Sequence, residues 1–124
     1  MKGDDRKRLA SLDNRINTTK IVKLYILHYL IYIKQEEYGL EIINYISNNF
    51  TKISNGLIYP LLRNMEENLL LTARWEDFDK KTKRLYKVTD EGIAHYKRIK
   101  LDYKSAIEFN IDAYSKIITT VYKK

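Results

Sequence analysis

Cysteine is absent from this chain of 124 residues. Disulfides, thiolate nucleophiles and cysteine-held zinc are therefore excluded. The composition fits a reducing compartment, and a cytoplasmic location is expected. Long apolar runs are also missing. The longest, Leu24 to Ile33, contains His28 and spans about ten residues, where a membrane span needs about twenty. It reads as a buried helix, and no membrane partner is expected. The opening stretch, MKGDDRKRLASLDNR, has no apolar core and does not read as a signal peptide. There is no phosphate-binding glycine loop, metal-ligand spacing or nucleophile motif. His28 and His95 stand apart from each other and from paired carboxylates, so each reads as a core or interface residue. No enzymatic activity, cofactor or metal is expected.

What is abundant is positive charge and apolar bulk. Lys and Arg number 23 against 16 Asp and Glu, a balance of +7. That favours an acidic partner, nucleic acid before a membrane surface, although a basic balance can also serve solubility alone. The hydrophobic fraction of 44% is enough for a folded chain, and the length suits one domain with one modest core.

Along the chain, residues 1–18 are polar, with Leu9, Leu12 and Ile16 permitting a short amphipathic helix or arm. Thr18 and Thr19 can cap a helix from Lys20 to Lys34 that is apolar nearly all round, as central core helices are. After a break at Tyr38-Gly39, Leu40, Ile43, Ile46 and Phe50, with Ile42 beside them, fall at helical spacing. Ser54 can cap a third helix over 54–68, whose buried stripe is Leu57, Ile58, Leu61, Leu62 and Met65. Pro60 is awkward there, because it removes a backbone donor. Asn68 can end that helix in the left-handed conformation.

Leu71–Trp75 and Arg84–Thr89 alternate as strands do, around a polar turn at 76–83. Thr89 is an N-cap, and Asp90 and Glu91 suit the positive end of the next helix. That helix runs to about Tyr122, roughly 33 residues or 50 Å. Its stripe of Tyr103, Ile107, Asn110, Tyr114, Ile117 and Val121 alternates steps of four and three, the coiled-coil rhythm. Its far half therefore needs a partner, most simply a second copy. The expected fold is mainly α with a small two-stranded β wing: a winged helix-turn-helix over 19–89, preceded by the arm and followed by a C-terminal helix over 90–124.

Three blocks carry a resemblance: Tyr38-Gly39-Leu40-Glu41-Ile42-Ile43, then Ser54-Asn55-Gly56-Leu57-Ile58-Tyr59-Pro60-Leu61-Leu62-Arg63-Asn64-Met65-Glu66, then Tyr86-Lys87-Val88-Thr89-Asp90-Glu91-Gly92. With Trp75-Glu76 in the first wing strand, they resemble the PadR family of bacterial transcriptional regulators over about Ile21 to Tyr122. Asn68 stands where the family prefers Gly. Lys80-Lys81-Thr82-Lys83-Arg84 replaces the family's frequent Gly-Arg-Pro run at the wing tip. The resemblance implies a third helix that tolerates proline and dimerisation through one C-terminal helix, as in the small subtype. It also implies a cleft at the dimer interface that takes flat aromatic ligands.

The candidate DNA contacts follow. Asn55 and Arg63 lie off the apolar stripe of the third helix and suit adenine and guanine edges or phosphate. Ser54 and Tyr59 suit phosphate oxygens, with a plain cap and packing against Tyr38 as the competing roles. Tyr38 is counted with this DNA-facing set. Lys80, Lys81, Lys83 and Arg84 suit phosphate contact by the wing, or form a solvated turn. Lys2, Arg6, Lys7, Arg8 and Arg15 are diluted by Asp4, Asp5 and Asp13 and read as a solvated arm. Trp75, Tyr96 and Tyr103 are candidates for an aromatic effector, with packing as the competing role. The expected function is a homodimeric, sequence-specific repressor on a double-stranded operator. The alternative is a winged-helix module whose last helix binds a different protein.

Overall fold

The computed structural model describes residues 16–77, 79–81 and 83–123. The readings placed on the N-terminal arm, Leu9, Leu12 and its basic residues among them, lie outside this range. Among the described residues the elements follow in the order α1 (Thr18–Tyr32), β1 (Glu37–Tyr38), α2 (Gly39–Asn49), α3 (Asn55–Glu67), β2 (Leu71–Trp75), β3 (Arg84–Val88) and α4 (Asp90–Thr120). The architecture is mostly helical with a small antiparallel sheet and a long C-terminal helix, which is the winged helix-turn-helix expected. The chain divides into two compact units, one of them Thr18–Ile99 and the other containing everything from Lys100 on.

Within Thr18–Ile99 the core is built from one stripe of each helix. Val22, Ile26, Leu27 and Leu30 of α1 meet Ile42, Ile43 and Ile46 of α2, and Ile58, Leu61, Leu62 and Met65 of α3. Leu71 of β2, Tyr86 of β3, and Tyr96 and Ile99 of α4 are buried as well. The expected α2 stripe is corrected at both ends. Leu40 is exposed, and Phe50 is exposed on one side while stacking on Tyr25 at 5.6 Å. Thr18 and Thr19 sit in the first turn of α1 rather than ahead of it.

The wing carries a strand that the sequence pattern did not reveal. The order is β1-β3-β2, with Glu37 opposite Tyr86 and Tyr38 opposite Leu85. β2 and β3 pair from Leu71 opposite Val88 to Trp75 opposite Arg84. Pro60 lies inside α3 without ending it. The carbonyl it leaves unbonded belongs to Gly56, which is exposed and can turn to water. The end of α3 corrects another expectation. Asn68 keeps φ at −88° and binds back through its side-chain amide to Asn64, while Leu69 takes the left-handed conformation at φ 64°.

Thr89 caps α4 as expected: its hydroxyl accepts from the Gly92 amide (2.9 Å) and donates to the Leu69 carbonyl (2.6 Å). A Cβ at Gly92 would collide with the Leu70 carbonyl oxygen and with Val88. Glycine is thus what lets α4 start this close to the end of α3.

In the unit from Lys100 onward, Ala106 is buried and Tyr103, Ile107 and Asn110 are half-buried. Phe109, Ile111, Tyr114, Ile117, Ile118, Val121 and Tyr122 are exposed.

Candidate nucleic-acid interface

The buried stripe of α3 fixes what its other side presents. Asn55, Tyr59 and Arg63 follow at steps of four and are all exposed, with Gly56, Pro60 and Asn64 beside them. Ser54 holds the N-cap position in extended backbone, yet its hydroxyl makes no capping bond. Gly39 lets Tyr59 settle: a Cβ there would lie 2.9 Å from the Tyr59 ring. Asn64 was not expected on this face, and its side chain is bonded to Asn68.

The wing tip is a tight turn organised by Asp77. Its side chain accepts from the Lys80 amide (3.1 Å), its carbonyl accepts from the Lys81 amide (2.7 Å), and the Glu76 amide donates to the Lys83 carbonyl (2.8 Å). Lys81 adopts φ 53°, the backbone region glycine supplies elsewhere. Lys80, Lys81 and Lys83 are exposed.

Arg84 stands differently from its lysine neighbours. Its guanidinium donates to Glu66 of α3 at 2.8 Å and lies 5.4 Å from the Trp75 ring centroid and 6.0 Å from that of Tyr86. Arg84 is half-buried and works as a strut between α3 and the wing. Lys83 Nζ lies 5.7 Å from the Tyr38 ring. The Tyr38 phenol bonds Glu76, which raises its pKa, with burial and the Glu76 charge adding to the shift. Arg74 makes a two-pronged pair with Glu36, Nε to Oε2 at 2.9 Å and Nη2 to Oε1 at 3.1 Å. Tyr29 donates to Glu37 at 2.7 Å. Burial first, and this bond second, push the Tyr29 phenol up.

The contacts of Arg84, Lys83 and Tyr38 frame a cleft of about 630 Å³ between α3, the start of α2 and the wing, lined by Tyr38, Tyr59, Arg63, Trp75, Lys83 and Arg84 among others. The structure therefore brings five of the expected DNA-facing residues to one place. The carboxylates of Glu66 and Glu76 organise that place. Sequence reasoning missed both, because each partner lies elsewhere in the chain.

The three effector candidates are not gathered within the Thr18–Ile99 unit. Trp75 lines the cleft, whereas Tyr96 is buried against His28 and Tyr32, its hydroxyl 2.9 Å from His28 Nδ1. Tyr103 belongs to the other unit, where burial raises its phenol. Near Tyr96, the Arg98 guanidinium donates to His95 Nδ1 at 2.8 Å. Burial, then the charges of Lys23 and Arg98, hold the His95 pKa down. Among the described residues no group of three His, Cys, Asp or Glu could hold a metal ion, and no helix is long and apolar enough to cross a membrane.

A family model described as the transcriptional regulator PadR-like family matches residues 26–98. Solved structures are similar in fold. A transcriptional regulator from Clostridium thermocellum has 26% identity and a TM-score of 0.60, covering 73% of this chain and 93% of its own. A PadR family transcriptional regulator from Eggerthella lenta has 24% identity and a TM-score of 0.60, covering 82% and 83%. A winged-helix DNA-binding protein from STIV has 21% identity and a TM-score of 0.58, covering 68% and 89%. No curated protein matches.

Proposed function

Since this chain belongs to the PadR-like family of transcriptional regulators, we propose that it is a cytoplasmic repressor that binds double-stranded DNA as a homodimer. In this reading α3 enters the major groove, where Asn55 and Arg63 meet base edges and Ser54 and Tyr59 hold phosphate. Tyr38, beside Tyr59, braces that end of the helix. Lys80, Lys81 and Lys83 clamp the adjacent backbone. Arg84 sets the angle between helix and wing and is not itself a principal phosphate contact. The α4 stripe of Tyr103, Ile107, Asn110, Tyr114, Ile117 and Val121 pairs with a second copy and spaces two half-sites about one turn of DNA apart.

The observation that carries the reading is the exposed face of Asn55, Tyr59 and Arg63 beside a lysine-bearing wing, braced by the Glu66–Arg84 bridge. A gel-shift series on the protein's own promoter region tests it. Arg63→Ala is expected to lose about tenfold or more and to relax preference at one base position. Replacing Lys80, Lys81 and Lys83 by Ala should weaken all duplexes alike and flatten the salt dependence by nearly one unit of slope per lost phosphate contact. Wild-type binding by both variants would sink the mechanism.

A further inference from the structure

We propose that the contact between α1 and α4 holds a binding site for a phosphate dianion, free or as the head of a phosphate monoester, gripped by Lys23, His95 and Arg98. The two helices meet where Tyr96 packs on His28 and Tyr32, with the Tyr96 hydroxyl 2.9 Å from His28 Nδ1. His95 and Arg98 stand on either side of Tyr96 in α4, and Lys23 belongs to α1. None of the three lines the cleft beside α3. The site therefore goes beyond the DNA-binding reading and does not rest on it.

The first reason is the hydrogen bonding of His95. The Arg98 guanidinium lies 2.8 Å from Nδ1. A guanidinium only donates, so Nδ1 accepts and the neutral ring carries its proton on Nε2. Nε2 is buried and has no hydrogen-bond partner. An unpaired buried donor is costly, and an acceptor that reaches it removes that cost.

The second reason is the charge around it. Lys23 is half-buried, and neither it nor Arg98 has an ion pair among the described residues. The charges acting on Lys23 and His95 are all positive: Lys20 on the first, Lys23 and Arg98 on the second. Burial first, and these like charges second, hold both pKa values down. An anion turns that repulsion into attraction, with less screening than at a fully exposed site.

The valence follows from the same residues. Lys23 and Arg98 bring two positive charges beside a neutral imidazole. A dianion matches them, whereas a carboxylate or a nucleic-acid diester brings one negative charge. A phosphate monoester has a second pKa of about 6, so it is largely dianionic at neutral pH. Its terminal oxygens can accept from an ammonium, a guanidinium and an imidazole N–H together.

The chain has two histidines, so the His95 ring signal in a ¹H–¹³C spectrum is assigned by its loss in His95→Gln. The full-length protein is titrated at about pH 7.5, where methyl phosphate is a dianion, at constant ionic strength. The titrants are inorganic phosphate, methyl phosphate, the monoanionic diester dimethyl phosphate, and acetate. A saturable shift of the His95 signal is expected with the first two, and binding about tenfold or more weaker with the last two. The tighter of the first two identifies the free ion or the monoester as the occupant, and either supports the site. Lys23→Gln and Arg98→Gln should each weaken methyl phosphate several-fold. Lys23→Gln should not lower the urea midpoint of the ligand-free protein, because it removes a half-buried, unpaired charge; a lower midpoint would count against the repulsion. No saturable shift, equal binding of dimethyl phosphate or acetate, or indifference to both substitutions overturns the site.

Discussion

Leu69 carries the plainest backbone strain in the described chain. Its φ of 64° is a conformation that costs an L-residue about 1–2 kcal/mol. It is held there because its amide bonds Glu66, the next amide bonds Met65, and its own carbonyl receives the Thr89 hydroxyl. The side chain is 62% exposed, so little packing offsets the strain. Leu69→Gly is expected to raise stability by about 0.5 kcal/mol, the relief being partly cancelled by extra freedom in the unfolded chain. Leu69→Val should lower it by about 1 kcal/mol, since a β-branched residue fits that region worse. Urea midpoints of the two variants check the pair, and a loss in Leu69→Gly would refute the strain. Sequence reasoning put the left-handed residue at Asn68, the residue type that tolerates it best. The turn chose the next position because the Asn68 amide group was taken by Asn64.

Among the elements, α1 to α4 and the two longer strands were legible because each shows its own period of apolar residues. β1 was not, because a two-residue strand has no period; it exists only through pairing with Tyr86 and Leu85, nearly fifty positions on. The candidate site divides in the same way. The exposed face of α3 follows from its buried stripe. The differing fates of Lys83 and Arg84 could not be read from like charges side by side, since a carboxylate on another element, Glu66, decides them. The packing of α4 on α1 carries a pH dependence. The His95 pKa is held below its ordinary 6.5 by burial, Lys23 and Arg98, so the unfolded chain takes up the proton first. The stability this contributes is fully present above about pH 6.5 and is lost as pH falls from there through the folded-state value. His95→Gln should flatten stability against pH below about pH 6.5 in urea titrations; an unchanged slope would exclude His95 as the source.

At the scale of the whole molecule, the claim is that reading heads come in pairs. The unit from Lys100 on exposes Tyr114, Ile117 and Val121 along the expected seam, and Ile111, Ile118 and Tyr122 widen it. A monomer would leave that apolar surface in water. Charge placed on the seam, as Ile117→Glu with Val121→Glu, should give a monomer by light scattering. It should also weaken operator binding by about a hundredfold, because two linked half-site contacts become one. A net charge of +7 attracts DNA in general but cannot select a sequence. Selection of duplexes from a random pool by the full-length protein is therefore the most direct measurement. The account predicts enrichment of inverted half-sites with centres about one turn apart, 10–10.5 base pairs, and loss of that enrichment in Arg63→Ala. Recovery of unrelated sequences, or of a single unpaired half-site, would contradict it.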